Sequence, residues 1–220
     1  MKNLFLFTVC YFLSVSLCAQ TGIRFSYSNF TATEWTDLIN EATGKRYASP
    51  TGYYIGVDYW LRLKQKRIEF FPEAGYGLVK ADLDQTGLEI RSFGFHLNTN
   101  VYPFDFAGDC DCPTWSKEGG ILKKGFFFQL SPGVVRSDIK VNDPIVVQNG
   151  NATYFHLGFG AGLDIGLSDF LTITPLVKYY ISPPVEYSLT VPGPIFFGTT
   201  QSNIKQFMAG IRVGLRFDER

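Results

Sequence analysis

The chain has 220 residues, with 20 basic and 20 acidic side chains, 45% hydrophobic residues, 16% aromatics, 22 glycines and two methionines. A formal charge of zero gives the chain as a whole no electrostatic footprint for nucleic acid or for an anionic surface. Abundant Phe and Tyr with modest charge argue against disorder, and after residue 19 no stretch approaches the ~20 apolar residues of a spanning helix.

Residues 1–19 form a separate segment. Met1-Lys2-Asn3 is a short positive start, Leu4 to Leu17 is apolar, and Cys18-Ala19-Gln20 places small residues at a cleavage point. This pattern predicts a secretory signal peptide cut after Ala19, leaving a barrel-forming domain over 20–220. Cys10 and Cys18 leave with the signal. The two cysteines that remain, Cys110 and Cys112, cannot form a framework of disulfides, so burial and backbone pairing must hold the fold.

The mature region then alternates apolar and polar residues in eight segments, the period of strands with two unlike faces. They begin near Gly22, Gly52, Ile68, Leu88, Lys124, Thr153, Leu171 and Gln206. The sixth is the clearest: Phe155, Leu157, Phe159, Ala161, Leu163 and Ile165 alternate with His156, Gly158, Gly160, Gly162 and Asp164. Connections after the second and sixth segments are tight, and those after the first, fifth and seventh are long. That alternation is the habit of an antiparallel meander closed into an outer-membrane barrel, although the link after the third segment is short and the link after the fourth is long.

The two faces decide between a soluble carrier and a membrane span. One face is almost wholly Phe, Leu, Ile, Val and Tyr. The other mixes glycine with Arg24, Arg62, Lys178, Arg212 and Arg216, with Asp58, Glu69, Glu73 and Asp164, and with His96 and His156. An apolar ligand has no place among such groups, and an apolar exterior in water would far exceed ordinary surface patches. The expectation is an all-β, eight-stranded, antiparallel up-and-down transmembrane β-barrel, with charges paired in a packed lumen and apolar faces against outer-membrane lipid.

The run Lys123-Lys124-Gly125-Phe126-Phe127-Phe128-Gln129-Leu130-Ser131-Pro132-Gly133, the stretch Gly158 to Gly166 and the closing Gly210-Ile211-Arg212-Val213-Gly214-Leu215-Arg216-Phe217 resemble the small outer-membrane β-barrel family of the Bacteroides group, a porin-like family. The resemblance covers about residues 20 to 218 and implies a bacterial outer-membrane protein with no shared catalytic residues and no cofactor. Some related barrels are similar to an accessory component of type IX secretion. The aromatic last strand, ending at Phe217, is expected to signal insertion by the barrel assembly machinery.

Local features suggest where activity could lie. Asp109-Cys110-Asp111-Cys112-Pro113 offers a turn with a candidate disulfide, a soft-metal site or a docking point for an envelope protein; a structural zinc site would need a second ligand pair. His96 or His156 could pair with Asp58, Glu69 or Glu73 as a general base, but no nucleophile motif accompanies them, and lumen packing is the simpler reading. Thr33 could cap a short helix in the first loop. The last loop presents Pro192, Pro194, Ile195, Phe196 and Phe197, as a partner surface or as part of an aromatic belt. Pro144 and Asn149-Gly150 suggest a hairpin in the third outer loop, after the fifth segment. The expected role is non-enzymatic, structural or surface-interacting, with a secretion accessory, a narrow porin and a lipid-modifying enzyme as alternatives.

Overall fold

The computed structural model describes residues 20–44, 49–63, 66–83, 86–106, 120–142, 147–190 and 196–216. In chain order the elements are β1 (Gln20–Thr31), α1 (Thr33–Thr43), β2 (Thr51–Arg62), β3 (Ile68–Leu83), β4 (Thr86–Val101), α2 (Ile121–Gly125), β5 (Phe126–Asn142), β6 (Val147–Leu163), β7 (Ile165–Gly166), β8 (Leu171–Thr190) and β9 (Phe196–Arg216). Every ladder is antiparallel. β1 pairs with both β2 and β9, and β6 pairs with β8, so the sheet closes on itself. β7 resumes the line of β6 beyond Asp164 and pairs with β8 through Ile165↔Ile173, which makes eight staves around the barrel. Closure satisfies the edge groups that an open sheet would leave unpaired.

Strand existence and facing follow the period-two pattern, but several strands run further than it predicted. β3 and β4 stay paired out to Leu83↔Thr86, β5 and β6 to Asn142↔Val147, and β8 and β9 to Thr190↔Phe196. The connections expected to be long after the fifth and seventh segments are therefore mostly extended hairpin. Asn149 and Gly150 pair with Lys140 and Ile139 within the β5–β6 ladder, so they are not the turn. Pro144 lies outside the described residues.

The outward side chains form a continuous apolar belt. Phe25, Ile55, Val57, Tyr76, Phe93, Phe95, Phe128, Val134, Phe155, Phe159, Val177, Phe207 and Ile211 are all exposed, while the alternate positions are buried or half-buried. From Phe93 to Val101, β4 covers roughly 27 Å of strand, or roughly 20 Å of height at the usual barrel tilt of about 40°.

The interior is not uniform. At the end where β1–β2, β3–β4, β5–β6 and β8–β9 are joined, the inward positions are apolar: Val79, Leu88, Ile90, Val135, Ile139, Val141, Ala152, Tyr154, Val185 and Ile204. Helix α1 seals this half by placing Trp35 and Ile39 among them, both nearly inaccessible at 3% and 2%. Trp35 Nε1 donates to the Val185 carbonyl at 3.0 Å, and Ser202 donates to the Glu34 carboxylate. That bond holds the exposed Glu34 carboxyl below its ordinary range. The helix starts one residue earlier than a Thr33 cap requires. Ala32 occupies the cap and makes no side-chain cap bond, Thr33 is the first helical residue, and Thr36 Oγ1 returns to the Ala32 carbonyl at 3.0 Å. Gly44 ends the helix at φ 66°, a left-handed conformation that glycine adopts without a Cβ penalty.

An isolated helix of this length is marginal in water, so α1 depends on its apolar socket. Trp35→Ala is expected to cost about 3–5 kcal/mol of helix docking. In hydrogen exchange, α1 amides should lose protection while strand amides keep theirs; strands that lose protection equally would show that the helix is not a separable plug.

Candidate functional site

The other half of the lumen carries the charges, because the same inward positions that are apolar near α1 become Arg, Asp, Glu, Asn and Gln toward the chain termini. Its centre is Glu73 on β3, 1% exposed. Arg24 of β1 forms an ion pair with its Oε1, Tyr54 of β2 donates to the same oxygen at 2.6 Å, and Asn98 Nδ2 donates to Oε2 at 3.0 Å. Asn98 Oδ1 in turn accepts from Ser131 at 2.7 Å and from Lys178 Nζ at 2.9 Å. Three other staves thus bond this carboxylate directly, and two more reach it by way of Asn98. Room for Tyr54 comes from Gly75, where a Cβ would fall 2.0 Å from the tyrosine oxygen.

A second pair lies nearer the termini. Arg212 of β9 grips Asp58 of β2 with Nε at 2.7 Å and Nη2 at 2.6 Å, a bidentate geometry suited to a guanidinium, and its charge sits 4.6 Å from the Phe71 ring centre. A third cluster closes the terminal end. Tyr102 Oη lies 2.9 Å from Glu69 Oε2 and 2.5 Å from Asp164 Oδ2, Trp60 Nε1 donates to Glu69 at 2.9 Å, and Thr174 donates to Asp164 at 2.5 Å. Arg67, from the turn after β2, covers this cluster. Its guanidinium stacks 3.9 Å from the Tyr102 ring centre, pairs with Asp105 and donates to the Lys124 carbonyl.

Of the residues singled out from sequence, Arg24, Glu73 and Lys178 belong to one hydrogen-bonded network, Asp58 and Arg212 form a separate pair that lines the same small void, and Glu69 with Asp164 forms the terminal cluster. Arg216 lies at the rim, 5.8 Å from the Trp60 ring centre. Arg62 stands opposite Glu69 in the β2–β3 ladder, with its side chain outside the described set. His96 and His156 belong to a different layer. Tyr180 stacks on His156 with centroids 4.5 Å apart and lies 5.1 Å from His96. The four imidazole nitrogens have no hydrogen-bond partner among the described residues, and Glu73, the neighbour of His96 across the ladder, directs its bonds elsewhere. No histidine–carboxylate base pair is assembled among the described residues. Tyr54, Asn98, Tyr102 and Arg67 were missed: the first three are uncharged, and Arg67 sits in a polar turn that gives no hint of folding inward.

Cys110, Cys112, Pro192, Pro194 and Ile195 lie outside the described residues. Phe196 and Phe197 open β9, with Phe196 opposite Thr190. Among the described residues no group of three or more His, Cys, Asp or Glu side chains could hold a metal ion. The charged layer leaves a void of about 10 Å³ for the centre of a water molecule, between Arg24, Asp58, Glu73, Asn100, Gln129 and Arg212. That is room for about one water.

No protein-family model and no curated protein matches the chain. Solved structures with a similar arrangement include Neisserial surface protein A (12% identity, 89% of this chain and 96% of that one, TM-score 0.47), the attachment invasion locus protein Ail of Yersinia pestis (10%, 90% and 97%, 0.43) and the outer membrane protease OmpT of Escherichia coli (5%, 91% and 97%, 0.43). At these identities and scores the likeness is one of barrel arrangement alone.

Removing one partner of a buried ion pair leaves the other charge stranded, at about 3–5 kcal/mol. Glu73→Ala is expected to destabilise the barrel by about that amount in a urea titration read by folded and unfolded gel mobility. The double change Glu73→Leu with Arg24→Met should recover most of the loss. A double variant no better than the single one would show that shape, rather than charge compensation, dominates this layer.

Proposed function

We propose that the protein is an integral outer-membrane barrel of a Gram-negative bacterium with a non-enzymatic role, acting through its outer surface and loops rather than through its lumen. The observation that carries this reading is the inversion of polarity: apolar side chains ring the outside of a closed barrel while ion pairs fill the inside. Such an exterior is tolerated in lipid and not in water. The backbone supports it too, since a closed barrel leaves no unpaired edge in hydrocarbon. On this reading residues 1–19 direct export, both chain ends face the periplasm and the α1 end faces outward.

The structural or surface-interaction role is the first reading for the loops. The sequence from Pro192 to Phe197 is the candidate partner segment, and an envelope complex such as a secretion assembly is the class of partner that the Bacteroides-group resemblance supports. A narrow porin is less well supported, because α1 fills one half of the lumen and paired charges the other.

Three measurements test this. Wild-type protein refolded with liposomes should float with them, and Phe95→Arg, midway along the belt on β4, should weaken insertion by about 2–4 kcal/mol. In planar bilayers the wild type should give no discrete conductance steps; regular steps would replace the present reading with a pore. A gentle-detergent pull-down from native outer membranes should recover a defined partner that is lost when Pro192 to Gly198 is deleted. Recovery of the intact barrel alone would remove the partner role from that loop.

A further inference from the structure

The formal charge of the whole chain is zero, but the outer wall near the α1 end is not neutral everywhere. β3, β4 and β5 turn four cations outward here: Arg136 opposite Phe93 in the last apolar row, and Lys80, Arg91 and Lys140 beyond it. Two carboxylates, Glu89 and Asp138, stand among them, so that the described side chains of this sector carry more positive than negative charge. Glu89 is already shared, by Lys80 at 3.2 Å and Arg91 at 2.6 Å. Asp138 lies 4.0 Å from Arg136, and both side chains are more than half exposed. On the opposite wall, β8, β9, β1 and β2 turn one cation outward at this level among the described side chains, Lys205.

The sector also has a shape. Arg91, Asp138, Lys140, Gly150 and Asn151 line an open groove of about 310 Å³ on the outside of β4–β6. Tyr76 and Phe93 pair in the row next to Leu78↔Arg91 and are exposed, so the groove opens directly above the apolar belt. A ligand there can keep its acyl chains on the belt while its head group enters the groove. Two cations suit a phosphate. The carboxylate of Asp138 and the amide of Asn151 do not suit a bare phosphate, but they accept hydrogen bonds from sugar hydroxyls.

We infer that this groove binds the phosphorylated sugar head group of a glycolipid in the outer leaflet, with Arg91 and Lys140 on phosphate and Asp138 and Asn151 on sugar hydroxyls. The inference rests on the outer-membrane reading above and names one lipid contact of that same surface.

The test uses the full barrel in phospholipid nanodiscs, with retention of added glycolipid read by native mass spectrometry. Three probes are compared: a bisphosphorylated diglucosamine lipid, its dephosphorylated form and inorganic phosphate. Flotation of the wild type with liposomes comes first, because a barrel that does not float overturns the membrane reading and this site with it. For a barrel that floats, the expected result is retention of the bisphosphorylated lipid, at least tenfold less of the dephosphorylated lipid, and little displacement by millimolar phosphate. Arg91→Gln with Lys140→Gln should lower retention at least tenfold, while Lys205→Gln leaves it unchanged. Lys140→Gln alone, which leaves the Arg91–Glu89 pair intact, should show a smaller loss in the same direction. Equal retention of the two lipids, or equal loss with Lys205→Gln, would reduce the site to general belt contact and overturn the proposal. Displacement by phosphate alone would make it a free-anion site and overturn the glycolipid assignment.

Discussion

The buried Glu73 carboxylate is the constraint around which the rest of the lumen is arranged. A carboxylate removed from water is tolerated only when its lone pairs are met and its charge is balanced. Arg24, Tyr54 and Asn98 do this from three other staves, and Lys178 donates in turn to Asn98. An eight-stranded barrel has an interior just wide enough for side chains, so each long polar group must find space on a neighbouring stave. Glycines supply it. Gly75 lies beneath Tyr54, and Gly158 beneath Tyr180, where a Cβ would stand 2.4 Å from the ring. Lumen glycines and lumen charges are therefore two sides of one packing solution.

The same geometry explains why the interior changes character along its axis. Ion pairs occupy the half near the termini, the His96–His156–Tyr180 stack forms an aromatic layer, and apolar side chains with Trp35 and Ile39 of α1 fill the remainder. Ser137 links the upper part of this stack, sharing hydrogen bonds with Ser92 and Tyr154. A charged half cannot be sealed by an apolar helix without stranding charge, and an apolar half cannot be sealed by Arg67. Each end thus carries the closure its own lining permits: α1 on one side, and Arg67 with Asp105 and Tyr102 on the other.

Much of the fold was legible because alternation with period two survives any detail of packing. Phe155 to Ile165 against His156 to Asp164 reads as a strand with a greasy outside, and so it folds. Reading polarity as a proxy for facing was less successful. Val135, Ile139, Leu88 and Ile90 point inward although they are apolar, because the socket of α1 needs them, and no local pattern announces a helix that folds into a barrel mouth. The charged members of the lumen were recognisable one by one, but their partners were not. Alternation sets the face of Asp58 and Arg212, whereas only the β1–β2 and β1–β9 registers bring them together across β1. Uncharged Tyr54 and Asn98 carry as much of the arrangement and give no signal of their own.

These two seals bear on function through their chemistry. On the proposed reading, a solute crossing along the axis would have to displace α1 from an apolar socket and, separately, open a bidentate Arg212–Asp58 pair and the Arg24–Glu73 pair. No single ligand suits both tasks, since one rewards apolar contact and the other requires charge. A mutation that frees α1 still leaves the ionic layer closed, and one that breaks the ionic layer destabilises the barrel before it opens a path. The exterior has no such conflict. Its belt, its cationic sector and its hairpin ends are presented on a rigid closed sheet, where contacts can vary without disturbing the buried charges. The economy of the lumen therefore argues for a molecule whose selectable surface is its outside.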